Sequence, residues 1–471
     1  MINKINEEFK NTPDLIHRKI KYGLFNIHIF YIETISSSDR VNNYILKNIT
    51  NRIKNRPIKD ILAAPNFKKI KKDEFEEYIY NGYTIVIYLN NIYAMETRAD
   101  LDRSIAPPQI EQDLYGAKDS LVENYQKNIG LIKRRIKTHH LKTLEYKLGS
   151  YSKTQTALLY IDNICKNELI NRCDKLLKSL NTDRILDSGE LKQYLAKEEK
   201  NFFPTTKLTE RPDVIVNALL EGKIVVIVEN SPFAIILPAV LADFINPVSD
   251  NYIYGNNINF IKILRLTCFF LTILTPAFYI AIINYNQETI PPKLLSSFIM
   301  QREGVPFPAT IEAFFMLFIC EMLRESDIRF PNSYGSSISI LGALILGESA
   351  VAANIVSPIM IIIVALTFIS SMVFSNIEIV NAVRVWRFLS LIISSFYGLY
   401  GIAIVIIALI VNISSYYSFG LSYTYPVAPF NLNYLQKTLI RTSKTNELYR
   451  GKYLTKNTRK QEIKWKRLLL F

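Results

Sequence analysis

Cysteine and histidine are scarce in this chain, four of each among 471 residues. Cys165, Cys173, Cys268 and Cys320 form no Cys-x-x-Cys pair, and none is grouped with a histidine. That argues against a disulfide framework and against a zinc site, so each reads as a small buried hydrophobe. The sequence also lacks a glycine-rich phosphate loop, a His-Glu-x-x-His string and a Gly-x-Ser-x-Gly elbow, which removes the signatures of three large enzyme classes. Ser150-x-x-Lys153 copies one string of the serine acyl-enzymes without its Ser-Asp-Asn and Lys-Thr-Gly partners, and reads as a turn after Gly149. Nothing sets a nucleophile beside a base, so no enzyme, cofactor or metal is expected. The first residues contain no apolar run of signal-peptide length, which predicts that the amino-terminal half stays in the cytoplasm.

Charge is the next thing missing, and only in one place. Residues 231–430 hold 8 basic and 10 acidic side chains, against 37 and 30 in 1–230 and 11 and 2 in 431–471. The formal surplus of +14 thus lies at the two ends of a charge-poor, very apolar stretch. A uniformly soluble protein is excluded by that pattern, and nucleic acid is not needed to explain the surplus. The basic carboxyl-terminal tail, 431–471, predicts a cytoplasmic carboxyl terminus and contact with membrane lipid.

The polar half reads as α+β, in two small α/β subdomains at 1–95 and 96–230. Alternation and β-branching place strands at 83–89, 154–161 and 223–229. Helical spacing places helices at 38–52, 73–80, 121–139, 163–181, 188–197 and 213–220. The charged, Pro107-Pro108-containing stretch Met95–Gln112 reads as the linker between subdomains. The basic run Ile132–His140 reads as a solvated helix face, with a phosphate or lipid-headgroup contact as the alternative.

The apolar half, 231–430, reads as an α-helical polytopic membrane domain. Lys262–Asn284, Val356–Phe374 and Phe388–Val411 are long enough to span about 30 Å of hydrocarbon. Ala309–Leu323 is shorter and carries Glu312 and Glu321. Phe233–Ile245, broken by Pro238 and Asp243, is expected to lie as an elbow in the interface. Ser336–Ile355 is rich in small residues and holds Glu348 and Asn354, as re-entrant or pore-lining helices do. Both termini inside demands an even count: four spans with two partial insertions, or six. Either scheme puts Arg384 and Arg387 on the outer side.

Charged groups inside a bilayer cost at least about 3 kcal/mol unless paired or hydrated, so Glu312, Glu321 with Arg324, and Glu348 are site candidates. Glu321 has a simple alternative as a headgroup-level ion pair with Arg324. Ser339, Gly342, Leu346, Gly347, Glu348, Ser349 and Ala353 form the candidate pore or gating segment, on one face of which a narrow apolar constriction would gate by dewetting. Pro306, Phe307 and Pro308 fix the entry angle of the helix that begins at Ala309.

Several strings occur together in one order: LIKRRIK (Leu131–Lys137), SKTQTALLYID (Ser152–Asp162), TERPDVIVNALLEGKIVVIVENSPFAIILPAVLADF (Thr209–Phe244), GVPFPATIEAFFMLFICEMLRES (Gly304–Ser326) and RFPNSYGSSISILGALILGESAVAANIVSP (Arg329–Pro358). Taken jointly they resemble the A subunit of the GerA-type spore germination receptors, in the GerA/SpoVAF superfamily. The resemblance covers about 35–430. This chain departs from it at Leu114–Glu123, and at Glu348, where the family often has glutamine. The resemblance implies a ring-forming, channel-like homo-oligomer in the spore inner membrane, working with a transporter-like B subunit and a lipoprotein C subunit, and releasing monovalent cations on nutrient binding. The alternatives are a SpoVAF-like accessory channel, a secondary transporter or a non-conducting scaffold. No internal duplication of the kind transporters show is found between 231–330 and 331–430.

Overall fold

The computed structural model describes residues 12–22, 25–47, 67–89, 91–99, 116–196, 201–253, 257–329, 347–432, 450–451 and 453–460, with a few isolated positions between them. Near the amino terminus, strands β1 (Leu15–Tyr22) and β2 (Phe25–Ile32) pair as an antiparallel hairpin, with Leu15 opposite Ile32. Helix α1 starts at Ser38–Arg40 behind a Ser37 cap and widens to π spacing through Leu46. Strand β3 (Phe67–Ile70), helix α2 (Phe75–Tyr80) and strands β4 (Tyr83–Tyr88) and β5 (Asn91–Glu96) complete a five-stranded sheet of order β1-β2-β4-β5-β3. Successive side chains of a strand face opposite ways. Ile27, Ile29 and Tyr31 therefore pack on Val41 and Ile45 of α1, while Phe30 and Ile32 pack on Phe75 and Ile79 of α2.

The second sheet repeats this plan. Helix α3 (Tyr125–Arg135) precedes strands β6 (Leu141–Leu148) and β7 (Thr154–Ile161), helices α4 (Asn167–Ser179) and α5 (Ser188–Ala196), strand β8 (Lys207–Thr209), helix α6 (Pro212–Leu220) and strands β9 (Ile224–Val228) and β10 (Ala234–Leu237). The order is β6-β7-β9-β10-β8, the first sheet's order strand for strand. All five residues of β9 are buried between α3 and α6 on one face and α4 and α5 on the other. Each such valine or isoleucine contributes about 1.5–3 kcal/mol by burial.

The repeat extends to details. After β2 the amide of Ser36 returns to the Ile32 carbonyl at 3.0 Å, and after β7 the amide of Cys165 returns to the Ile161 carbonyl at 2.8 Å. Ala99 donates to the Ile35 carbonyl at 2.9 Å; in the second copy Lys456 donates to the Ile164 carbonyl at 2.8 Å. The carboxyl-terminal segment thus fills the place that the first subdomain fills with the residues just after its own β5. Thr455 bridges Cys165 as Arg98 bridges Ser36. Close approach needs glycine at both niches: a Cβ on Gly82 would sit 2.9 Å from the Ile35 carbonyl oxygen, and one on Gly222 would sit 2.5 Å from Thr455 Cγ2.

Past the second sheet come helices α7 (Leu241–Ile245), α8 (Asn257–Tyr285), α9 (Pro292–Arg302), α10 (Ala309–Arg329), α11 (Pro358–Met372) and α12 (Ile377–Ser415). Among the described residues, two helical runs, Ile258–Tyr285 and Ile377–Ser415, are long and apolar enough to cross a membrane. The second is a hairpin. Gly398 has φ 56° and ψ −133°, a conformation in which a side chain would strike the chain, and a Cβ on Gly401 would stand 2.6 Å from the Ile393 carbonyl, which a straight helix forbids at that spacing. Ile402, Val405 and Leu409 of the returning limb then pack with Ala382, Val383 and Trp386 of the outgoing one.

Several expectations are corrected here. Phe233–Ile245 is no interfacial elbow: it supplies β10 and α7, so the second sheet runs past Asn230 to Leu237. A strand buried on both faces is apolar throughout, like a membrane segment, and short apolar runs do not separate the two. Met95 belongs to β5, which trims the expected linker. The helix expected at 121–139 spans only 125–135, and Lys133, expected on a solvated face, is fully buried against Asp14 of the first subdomain. Phe388–Val411 is broken at Gly398 rather than continuous.

Candidate functional site

The helices are oriented by their contacts with the sheets. At the sheet end, Lys192 of α5 pairs with Glu378 at the start of α12, the Phe202 amide donates to Tyr416 Oη at 3.2 Å just after α12 ends, and Arg265 of α8 pairs with Asp250 at 2.7 Å. Ser418 Oγ donates to the Thr205 carbonyl at 2.6 Å, and the Leu241 amide donates to the Tyr423 carbonyl at 3.1 Å. At the distal end, Tyr285 donates to the Ser395 carbonyl at 2.5 Å and lies against Gly398, and Asn284 meets Thr310 at 3.3 Å. Both limbs of α12 therefore meet the sheet domain, and their turn is distal.

Inside the bundle, Glu321 of α10 receives two arginines from the outgoing limb of α12. Arg387 Nη2 donates to Oε1, and Arg384 Nε lies 2.7 Å from Oε2. Arg387 is only 2% exposed, so its charge is removed from solvent and depends on this carboxylate. Arg324, one turn beyond Glu321, instead donates to Ser371 Oγ of α11 at 2.7 Å and lies over the Phe368 ring. The expected headgroup-level pair of Glu321 with Arg324 is thus replaced by a cluster joining three helices. Arg384 and Arg387 stand two to three turns from the sheet-side end of α12, not at the distal side where the span count had put them. Counting the run through Gly398 as one crossing caused that error.

Glu312 is buried one turn into α10 and accepts from the backbone amide of Ser357 at 2.6 Å and from its hydroxyl at 2.5 Å. Ser357 precedes α11, so the carboxylate faces the positive end of that helix, where a negative charge is stabilised. Its Oε2 has no hydrogen-bond partner among the described residues. Pro306, Phe307 and Pro308 precede the first residue of α10 as expected, and a Cβ on the neighbouring Gly304 would lie 3.3 Å from Asn354 Cγ. The proline run and the end of the candidate pore segment are therefore neighbours.

Ser339, Gly342 and Leu346 lie outside the described residues. Residues 347–352 are helical, Glu348, Ser349 and Ala353 are exposed and Gly347 is half-buried, so Glu348 is not buried by the other described helices. The outward surfaces of the helices are apolar as well: Ile362, Ile369, Phe396, Ile407 and Val411 are each more than 60% exposed. Contiguous exposed apolar surface of that kind marks a contact face.

Where sheets and helices meet, a cavity of about 170 Å³ is lined by Glu111, Lys207, Arg211, Arg265, Val373 and Ser375, among others. Burial pushes the Glu111 carboxyl up, against the pull of Lys207, and pushes the Lys207 ammonium down, against the pull of Glu111 and Asp243. This polar root is invisible in sequence, because Glu111, Lys207 and Ser375 are far apart along the chain.

The sequence matches the profile described as "Bacillus/Clostridium GerA spore germination protein" over residues 3–453. The chain belongs to the GerA family. It is 34% identical to Spore germination protein KA of Bacillus subtilis (strain 168) over 458 residues, 93% of this chain and 83% of that one. Spore germination protein GerLA of Bacillus cereus is 32% identical over 467 residues, 96% of this chain and 95% of that one. The crystal structure of the N-terminal domain of the A subunit of the Bacillus megaterium spore germinant receptor GerK3 matches at 27% identity with a TM-score of 0.40, covering 51% of this chain and 94% of that one.

Proposed function

We propose that this GerA-family chain is the A subunit of a nutrient germinant receptor and triggers spore germination as part of an oligomeric, ligand-gated cation channel in the spore inner membrane. The observation that carries the reading is the family match over nearly the whole chain, with relatives of about equal length named as spore germination proteins. The charges buried among the helices and their apolar outward faces supply a mechanism. Nutrient binding on a transporter-like B subunit, with a lipoprotein C subunit alongside, shifts the population of a ring of A subunits toward an open state. The contacts of α12 and Arg265 with the sheets transmit that shift, and Glu348, exposed on each chain, faces the path of monovalent cations.

The topology in this reading has six crossings. Helices α8, α10 and α11 and both limbs of α12 supply five of them among the described residues. Residues 453–460 lie against the second sheet, which supports a reading with the sheet domain and this segment on the cytoplasmic side. In spores carrying Glu348→Gln, nutrient-triggered potassium release is expected to change in rate or threshold. Unchanged release would remove Glu348 from the path, substrate counterflow without cation leak would favour a transporter, and neither flux would favour a scaffold.

A further inference from the structure

Three arginines converge near the sheet-side ends of α10, α11 and α12. Arg384 and Arg387 both reach Glu321, while Arg324, within electrostatic range of Glu321 and Arg384, donates to Ser371 Oγ. Among the described residues, Glu321 is the one carboxylate that acts on both Arg324 and Arg387. Three guanidiniums against one carboxylate leave a positive surplus. We propose that this cluster binds the phosphate of an anionic phospholipid from the cytoplasmic leaflet, a placement that rests on reading these helices as membrane-spanning.

Depth favours a headgroup. Glu378, at the start of α12, touches the sheet domain through Lys192. At about 1.5 Å per residue, Arg384 and Arg387 lie about 9 to 14 Å further along the helix. A headgroup layer of about 5–7 Å covers each side of the hydrocarbon core, so the cluster stands just below it, and long arginine side chains reach up from such a depth. Basic pockets between helices on this side of a membrane are where anionic headgroups bind.

The surplus is also accessible. Arg387 is 2% exposed and held by Glu321, whereas the Arg384 side chain is 28% exposed and Arg324 is half-buried. The groups Arg324 touches, Ser371 and the Phe368 ring, are neutral. Neighbouring like charges repel, and a phosphate shared between Arg324 and Arg384 relieves this through charge-assisted hydrogen bonds. On the deeper side of Arg324 and Ser371, Phe318 and Met322 of α10 and Ile369 of α11 are each more than half exposed, which gives acyl chains an apolar wall. Inorganic phosphate shares the headgroup's charge but has no chains to lie on that wall.

The test follows thermal unfolding of the purified full-length protein by tryptophan fluorescence, in neutral-detergent micelles at constant ionic strength. Phosphatidylglycerol, phosphatidylcholine or inorganic phosphate is titrated in, and each variant is read against its own lipid-free melting temperature. Phosphatidylglycerol should raise that temperature saturably, and the other two should not. Arg324→Gln or Arg384→Gln should raise the half-saturating phosphatidylglycerol concentration about tenfold. Arg324→Lys, which keeps the charge, should retain most of the response, and Lys293→Gln, exposed on α9 at the distal end, should leave it unchanged. No response to phosphatidylglycerol, a response indifferent to both glutamine substitutions, or an equal response to inorganic phosphate overturns the lipid site. Flotation of the chain with phosphatidylcholine vesicles after an alkaline wash tests the membrane reading separately. A chain that floats but shows no such response loses the lipid site alone, and one that does not float loses both.

Discussion

Removing the carboxylate of Glu321 is the most informative single change in the helices. Glu321→Gln preserves shape but leaves Arg387, 2% exposed, and Arg384 without their counter-charge. Breaking a buried pair from one side costs about 3–5 kcal/mol, because the remaining charge stays desolvated. At about 1.4 kcal/mol per factor of ten, the folded fraction relative to unfolded should fall by about two to three and a half orders of magnitude. Arg387→Met should cost less, since Glu321 keeps Arg384. The double variant should cost less than the sum, by about 1.5 kcal/mol or more, as coupled neighbours do. Unfolding in mixed micelles can be followed by tryptophan fluorescence, because one of the two tryptophans, Trp386, adjoins Arg387. A Glu321→Gln protein within about 0.5 kcal/mol of the parent, or strictly additive substitutions, would refute the claim that this cluster holds α10 to α12.

Three further outcomes are expected. Gly398→Ala forces a Cβ to 2.9 Å from the Tyr285 ring at positive φ, so the α12 turn should lose about 2–4 kcal/mol in the same unfolding assay. Gly222→Val should displace the carboxyl-terminal segment that now touches this glycine, and hydrogen exchange at 450–460 should rise while exchange in β9 stays slow. Burial would raise the Asp213 carboxyl, but hydrogen bonds from Arg211 and Tyr252 and the Arg211 charge outweigh it and hold it below the ordinary value of 3.8. Its contribution is therefore present above that value and is lost as pH falls through the lower folded one, so Asp213→Asn should lose less stability than the parent as pH falls below about 4.

Three strands of the sheet domain, β4, β7 and β9, were legible in the sequence. Thr154–Ile161 was read to the residue, and Ile224–Val228 to within one at each end, since β-branched runs between polar turns have few other uses. The other strands, β1, β2, β3, β5, β6, β8 and β10, were missed; among them LIHRKIKY and LKTLEYKL are lysine-bearing edge strands whose pairing with β2 and β7 overrides weak local preference. The internal repeat left a faint trace, with NGYTIVIYLN before the linker and EGKIVVIVEN before the membrane half sharing the niche glycine and a following buried strand. Among the helices, the Gly398 turn had a cue in the YGLYG string inside an apolar run. The cluster had almost none: Glu321 was a candidate from its charge alone, while its partners lie 63 and 66 positions further on and no local pattern links them. Lys133 failed for the same reason, its partner Asp14 being 119 residues away.

The proposed cation path runs through an assembly of these chains, and recording from the purified protein in planar bilayers tests it directly. The expected result is discrete, cation-selective current steps whose amplitude changes with Glu348→Gln and whose open fraction changes with Lys192→Met, which cuts the tie between α5 and α12. A bilayer that stays silent with folded, assembled protein and its B and C partners present would contradict a conducting role and leave the chain as a scaffold.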